Sequence, residues 1–225
     1  MIMMPIKLVC FDLDGTLIDG TVFIWHTLHE HFRTPQETRK ALAEKFFSGK
    51  ISYAEWAGAE VTEWIARGAN RKSLIAAVSR LQLVPGVKET LDVLKDKGIR
   101  LAVVSGSLNF VLESAMPDYL DYFREEDILI NRLFFDDSGA ICDMVFTDYD
   151  LDRKAHGLKH LANRYGISLG ECAFVGDNHN DVHIAMKAGL SIAFNSKSER
   201  LDAVADHIIQ EKDLRAILPF ILGYP

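Results

Sequence analysis

Only three cysteines occur in the 225 residues, Cys10, Cys142 and Cys172. Their spacing matches no metal knuckle, and an odd count leaves one thiol over in any pairing. Two of them fall in apolar stretches expected to be core strands, so reduced thiols and a cytoplasmic location are expected rather than a disulfide framework. Basic runs are also missing. Lys and Arg number 25 against 32 Asp and Glu, a net charge of −7, which argues against a nucleic acid or an anionic membrane as partner. The apolar N-terminal stretch is too short to span a bilayer and has no cleavage-type end, so it is better used as a first strand. Repeats and low-complexity segments are absent. What remains is a chain with 48% hydrophobic residues, enough for the full core of one or two domains.

The most informative stretch is Phe11-Asp12-Leu13-Asp14-Gly15-Thr16. It follows the apolar run from Ile6 to Cys10, which reads as a buried strand closing on a glycine turn. Two carboxylates one residue apart at a strand end can divide a reaction between them: one attacks phosphorus, the other supplies and removes a proton. The same residues could form an ordinary acidic turn. Three further pieces follow in the chain. Val103-Val104-Ser105-Gly106-Ser107 ends a strand in a hydroxyl and bare backbone N–H groups, suited to phosphate oxygens but also to a simple helix cap. Lys154 stands early in a helix, where most lysines are merely exposed. Phe174-Val175-Gly176-Asp177-Asn178-His179-Asn180-Asp181 is another strand that ends in glycine and then carboxylates. One shared site explains all four more economically than four local accidents.

With these motifs the chain resembles the haloacid dehalogenase-like phosphatases, in particular the phosphoserine phosphatase branch. The matching positions are Asp12 and Asp14, Ser105-Gly106, Lys154, and Gly176-Asp177 with Asn180-Asp181; Lys154 and Asp177 are about 23 residues apart, as in that branch. The resemblance runs from Ile6 to about Ile221. It implies Asp12 as nucleophile and Asp14 as acid and base, and Ser105, Gly106, Lys154 and Asn180 around the substrate phosphate. It also implies Mg²⁺ held by Asp12, the Asp14 backbone carbonyl, Asp177 and Asp181. Clustered carboxylates next to a phosphate repel by about 4 kcal/mol per pair at ~4 Å and an effective dielectric of ~20, so a hard divalent cation is expected. His179 and His183, four residues apart, raise zinc as an alternative, but no Cys or Glu completes such a set. The expected partner is a small phosphorylated metabolite; the oligomeric state is open.

Apolar periodicity then sets the organisation. Phe23, Trp25, Leu28 and Phe32 share one helical face, Tyr53, Trp56, Val61, Trp64 and Ile65 another, and Leu74, Ile75, Val78 and Leu81 a third. Thr21 to Leu83 is therefore expected to be wholly helical, with its aromatics mainly internal. Elsewhere strands and helices alternate, which predicts an α/β fold: a doubly wound, Rossmann-like, mainly parallel sheet. Asp136-Asp137-Ser138-Gly139 between two apolar runs predicts a short β-hairpin flap. The expected domains are a core of residues 1–20 and 84–225 and a small helical cap of residues 21–83 inserted after the first motif.

The resemblance thins in the cap. Phosphoserine phosphatases carry a Glu after the first motif and a cap Arg; the corresponding positions here are Thr21 and Glu60. Reversal of the basic position should repel a carboxylate. A different small phosphomonoester is expected, with Glu60 and Asp19 suited to a cationic or hydroxyl-rich leaving group. A genuine phosphoserine phosphatase would need Arg67, Arg71 or Arg80 as substitute anchors. A phosphomutase or phosphotransferase would share Asp12 and Asp14, and a non-catalytic binding protein would be expected to lack one of the motifs.

Overall fold

Leu8, Val9, Cys10 and Phe11 are all buried, as a strand needs when both its faces and both its edges are covered. A computed structural model of the chain describes residues 5–223. The expected core's ends, 1–4 and 224–225, lie outside the described residues. In chain order the elements are β1 (Leu8–Phe11), β2 (Ile18–Asp19), α1 (Ile24–His31), α2 (Gln36–Phe47), α3 (Tyr53–Ile65), α4 (Arg71–Val78), β3 (Gln82–Leu83), α5 (Val87–Asp96), β4 (Arg100–Leu108) and α6 (Asn109–Ala115). There follow β5 (Ile128–Phe135), β6 (Ile141–Val145), α7 (Lys154–Tyr165), β7 (Cys172–Gly176), α8 (Val182–Ala185), β8 (Leu190–Phe194), α9 (Glu199–Asp202), β9 (His207–Ile209) and α10 (Leu218–Leu222).

Seven strands form one sheet in the order β6-β5-β4-β1-β7-β8-β9. All neighbours are parallel except β5 and β6. The chain leaves β1 to build one half, then crosses back over it to build the other, so the strand order reverses at β1. In such sheets ligands bind at the carboxyl ends of the strands beside that reversal.

Alternation along the strands divides the interior in two. Val9, Phe11, Leu101, Val103, Ala173 and Val175 face one apolar cluster; Leu8, Cys10, Ala102, Val104, Cys172 and Phe174 face the other. Helices α7 and α8 cover the second face through Leu158, Leu161 and Ile184. The first cluster continues without a break into the helical block, taking in Leu28, Val61, Trp64, Leu74 and Val78. Fully buried side chains of this size stabilise by about 1.5–3 kcal/mol each. Helix starts in the block are written locally. Ser52 and Glu55 close a reciprocal cap on α3, and Asn70 and Ser73 do the same on α4, each satisfying N–H groups that a first turn leaves unpaired. Helix α2 differs from its neighbours because it has no buried residue.

The segment from Thr21 to Leu83 is not wholly helical as expected: Gln82 and Leu83 pair antiparallel with Asp19 and Ile18 as a two-stranded ribbon. The expected hairpin is formed by β5 and β6, and because β5 also pairs parallel with β4 it extends the main sheet. At the C-terminal end, Leu214–Ile217 forms a tighter 3₁₀ turn before α10.

Candidate active site

Register alone gathers three of the motifs. Phe11 lies opposite Val103 on one side and Val175 on the other, so Asp12, Ser105 and Asp177 emerge side by side from β1, β4 and β7. The backbone N–H of Asp12 donates to Val175 O at 2.9 Å, which fixes where its side chain starts. Asp12, Asp177 and Asp181 are buried, and one oxygen of each lies within 4.8 Å of the others. Lys154, at the start of α7 and fully buried, places Nζ 2.7 Å from Asp12 Oδ1 and 2.7 Å from Asp181 Oδ1. Asp181 Oδ2 accepts the N–H groups of Asp177 and Asn178 at 2.9 and 3.1 Å, so both its oxygens are engaged and it anchors the loop after β7.

One ammonium does not balance three carboxylates. Burial, then the charges of Asp12 and Asp181, push Asp177 up to about 9. Burial raises Asp181 as well, with Lys154 pulling the other way. Burial works to discharge Lys154, yet the carboxylates of Asp12, Asp181 and Asp150 outweigh it and raise its pKa above the ordinary lysine range. Asp177 Oδ1 is buried with no hydrogen-bond partner. An orphaned carboxylate oxygen in an all-carboxylate cluster is the donor set that a hard cation such as Mg²⁺ prefers, and the residues present fit one. No histidine belongs to that cluster among the described residues; His179 instead bonds Asn178 and packs on Phe23, which removes the basis for zinc. Asp177 also explains Gly15. With φ at +79° any side chain is strained there, and a Cβ would meet Asp177 Oδ2 at 2.3 Å.

Asp14 stands apart from the cluster. Its Oδ2 accepts the N–H of Ile24, the first residue of α1, at 2.7 Å, and its Oδ1 accepts Ser107 Oγ at 2.8 Å. Burial and the neighbouring Asp12 push it to about 7, against the pull of those two bonds. Its side chain is not part of the metal-type group, so the Asp14 carbonyl is the atom left for the role expected of that residue. Ser105 Oγ accepts Ser107 N at 3.2 Å. The Gly106 carbonyl accepts the Trp25 indole N–H and the Asn131 amide, both at 2.8 Å, which fixes the orientation of that peptide. Asp150 packs directly on Gly106, where a Cβ would come within 2.2 Å of its carboxylate. Asp150 Oδ2 accepts Tyr53 Oη at 3.1 Å, and Asn131 bonds Tyr53 Oη and Thr147 N as well.

Above this floor opens a cavity of about 570 Å³ between α1, α2, α3 and the loop before α7. Asn180 and Asp150 form its lower wall; Phe23, Trp25, Tyr53 and Trp56 supply aromatic faces, and Glu60, Arg39 and Lys40 supply charge. Asn180 Oδ1 is buried without a hydrogen-bond partner. Thr21 lies outside this cavity, where its hydroxyl meets Thr27, and Asp19 is paired with Lys212 at 2.6 Å. Arg67 pairs with Glu63, Arg71 sits beside the hairpin turn with its backbone N–H on Gly139 O, and Arg80 is exposed; none of the three lines the cavity, whose arginine and lysine come from α2 instead.

The structure therefore brings Asp12, Asp177, Asp181 and Lys154 together, with Asp14, Ser105 and Gly106 beside them and Asn180 in the wall of the cavity. Trp25, Tyr53, Ser107, Asn131 and Asp150 escaped the sequence reading as site residues. A lone Asn within Ile128-Leu129-Ile130-Asn131-Arg132-Leu133 and the second Ser of Ser105-Gly106-Ser107 are the available signals; Trp25 and Tyr53 carry the same helical period as packing positions.

The haloacid dehalogenase-like hydrolase family matches residues 6–189. A phosphoserine phosphatase from Methanocaldococcus jannaschii is 30% identical over 218 residues, covering 96% of this chain and 97% of its own. One from Archaeoglobus fulgidus is 32% identical over 211 residues, 92% of this chain but 58% of its own length. Among solved structures, a phospho-aspartyl intermediate analogue of phosphoserine phosphatase superposes with a TM-score of 0.69 at 26% identity, over 97% of this chain and 100% of that one. Fold, motif order and relatives agree: the chain belongs to the haloacid dehalogenase-like hydrolases and is a phosphatase of that family, resembling the phosphoserine phosphatases.

Proposed function

We propose that the chain hydrolyses a small phosphomonoester through an aspartyl-phosphate on Asp12. The observation that carries this reading is the separation of two carboxylates by environment. Asp12 faces Lys154 at the floor, while Asp14, two residues on, is withdrawn to Ile24 N and Ser107 and raised to about 7. Asp14, raised toward neutrality, suits an acid, and Asp12, held against Lys154, suits a nucleophile. An oxygen of Asp12 attacks phosphorus as the ester P–O bond breaks, and Asp14 gives its proton to the departing alcohol oxygen. Asp14 then takes a proton from the water that attacks the phosphoryl group, so Asp12 returns as carboxylate and inorganic phosphate leaves. Ser105, the Gly106 N–H and Lys154 hold the phosphoryl oxygens as charge builds on them.

Asp12, Asp177 and the Asp14 carbonyl would hold Mg²⁺, with Asp181 as a further ligand or as the anchor of the loop. The ion neutralises the crowded carboxylates and the phosphate charge. Residues 21–83 serve as a cap over a core of residues 1–20 and 84–225, and the cavity between them receives the leaving group. Asn180 touches the substrate from the floor. Buried free thiols at Cys10 and Cys172 fit a reducing, cytoplasmic setting.

The relatives are named for phosphoserine. With Glu60 at the cavity and Thr21 outside it, phosphoserine is expected to be a poor substrate here. Phosphate release from a panel of small phosphomonoesters, with Mg²⁺ present, tests both the chemistry and this preference. No release from any ester, including p-nitrophenyl phosphate, overturns the reading.

A further inference from the structure

Glu60 is a buried carboxylate whose charge the protein leaves unanswered. It is 7% exposed on the inner side of α3 and lines the cavity. Its Oε1 accepts the Trp56 indole N–H at 3.0 Å. Its other neighbour is His29, whose Nε2 lies 3.4 Å away and has no hydrogen-bond partner although buried. His29 cannot serve as the counter-ion. The Trp64 indole donates to His29 Nδ1 at 3.0 Å, and an indole nitrogen only donates. Nδ1 must therefore keep its lone pair, the ring proton sits on Nε2, and the ring is neutral. Among the described residues no lysine or arginine pairs with Glu60. A carboxylate out of water without a cation is costly, and a bound cation removes that cost.

The surroundings suit a particular kind of cation. Phe23, Trp25, Tyr53 and Trp56 line the same cavity, and aromatic rings attract ammonium groups, most strongly where water is excluded. We propose, resting on the phosphatase reading above, that the substrate is a phosphomonoester whose alcohol carries an ammonium head without a carboxylate, and that Glu60 with the indole of Trp56 selects that head. Hydrolysis then yields an amino or ammonio alcohol and inorganic phosphate. A carboxylate next to the ammonium would have to approach Glu60. Lys40 is largely exposed and lies 3.9 Å from Glu44, which leaves half-buried Arg39 to receive such a carboxylate.

The experiment compares isosteres on the Mg²⁺-loaded full chain. Phosphocholine is set against 3,3-dimethylbutyl phosphate, and phosphoethanolamine against propyl phosphate; each pair differs in charge at nearly constant shape. A preference in kcat/KM of at least about 30-fold for the charged member is expected, the lower end of what a desolvated charge pair gives. Glu60→Gln should collapse that ratio toward one, chiefly through KM. Choline or ethanolamine alone should quench tryptophan fluorescence in the parent protein and far less in Glu60→Gln. Equal rates within both pairs, with esters still hydrolysed, overturn the inference and leave the phosphatase reading standing. Phosphoserine as the best substrate, with that advantage lost in Arg39→Ala, also overturns it. The isostere ratio and the quenching in the parent protein decide the matter even if the variant fails to fold.

Discussion

Asp12, Asp177 and Asp181 crowd three carboxylates around one lysine, whereas in the cap cavity the Glu60 carboxylate stands beside the Trp56 indole and the His29 imidazole. Both regions hold carboxylate charge that no paired lysine or arginine balances, but in different forms. On the floor the charges are close enough to share one small, doubly charged ion, and Asp177 is driven up to about 9 without it. In the cavity Glu60 is walled by aromatic residues, which under the proposal above suits a large, singly charged organic cation. Under the proposed function the floor serves the phosphoryl group, which every substrate of this chemistry brings, and the cavity serves the alcohol that only some of them carry.

The largest effect should come from the floor. Asp12→Asn is expected to cut kcat by on the order of 10⁴-fold or more, since an amide cannot attack phosphorus. Thermal unfolding should show no loss of stability, because the substitution removes one of the crowded charges; residual turnover in a clean preparation would take the nucleophile's role from Asp12. Chelation comes next: EDTA should abolish phosphate release, and added Mg²⁺ should restore it and raise Tm. An unchanged rate after exhaustive chelation would remove the metal from the reaction and leave the floor's charge unexplained.

A smaller effect should come from the bond that joins the two regions. Trp25→Phe keeps the ring but deletes the donor to the Gly106 carbonyl, at a cost of about 1 kcal/mol. A drop of roughly 5- to 10-fold in kcat/KM for every ester alike is expected. A drop confined to ammonium esters would instead assign Trp25 to the cavity alone.

The last effect is read in stability rather than rate, on the metal-free fold. Asp177 and Asp14 titrate near 9 and 7 in the folded protein, against about 4 for an unfolded aspartate. The folded state thus binds more protons between those limits. Their contribution is fully present below about pH 4 and is lost as pH rises through 7 toward 9. Tm measured in EDTA should fall steadily across that range, and Mg²⁺ should flatten the slope. A Tm that climbs over the same range would show that the carboxylates are not strained without the ion.

The floor was legible in the sequence because it is assembled from short contiguous motifs, each at the end of an apolar strand. Sheet register does the rest: once Phe11 pairs with Val103 and Val175, Asp12, Ser105 and Asp177 have no choice but to meet. The cavity is built otherwise. Glu60 was marked by the resemblance, but Trp25, Tyr53 and Trp56 come from two helices whose apolar periods were plain, and the period states which face is buried and not which of its members border a void. The polar link from Asn131 through Tyr53 to Asp150 spans three distant segments, so no local pattern could announce it. Arg39 and Lys40 escaped for a related reason, since nothing in α2 marks the side that faces inward. Short pieces such as Gln82–Leu83 and His207–Ile209 carry too few residues for any period to show.

Helix α2 contributes Gln36, Arg39, Lys40 and Ala43 to the cavity wall while burying none of its own residues. Substitutions on that inner side create no void in the core and break no packed layer, so most should cost less than about 0.5 kcal/mol in stability. The catalytic floor has no such freedom, because its loops are wedged between glycines and carboxylates that tolerate no added atom. Under the proposed function, a lineage carrying this fold could therefore adjust how the cavity fits an alcohol by drift along one exposed helix, while Glu60 on α3 and the floor below stay fixed.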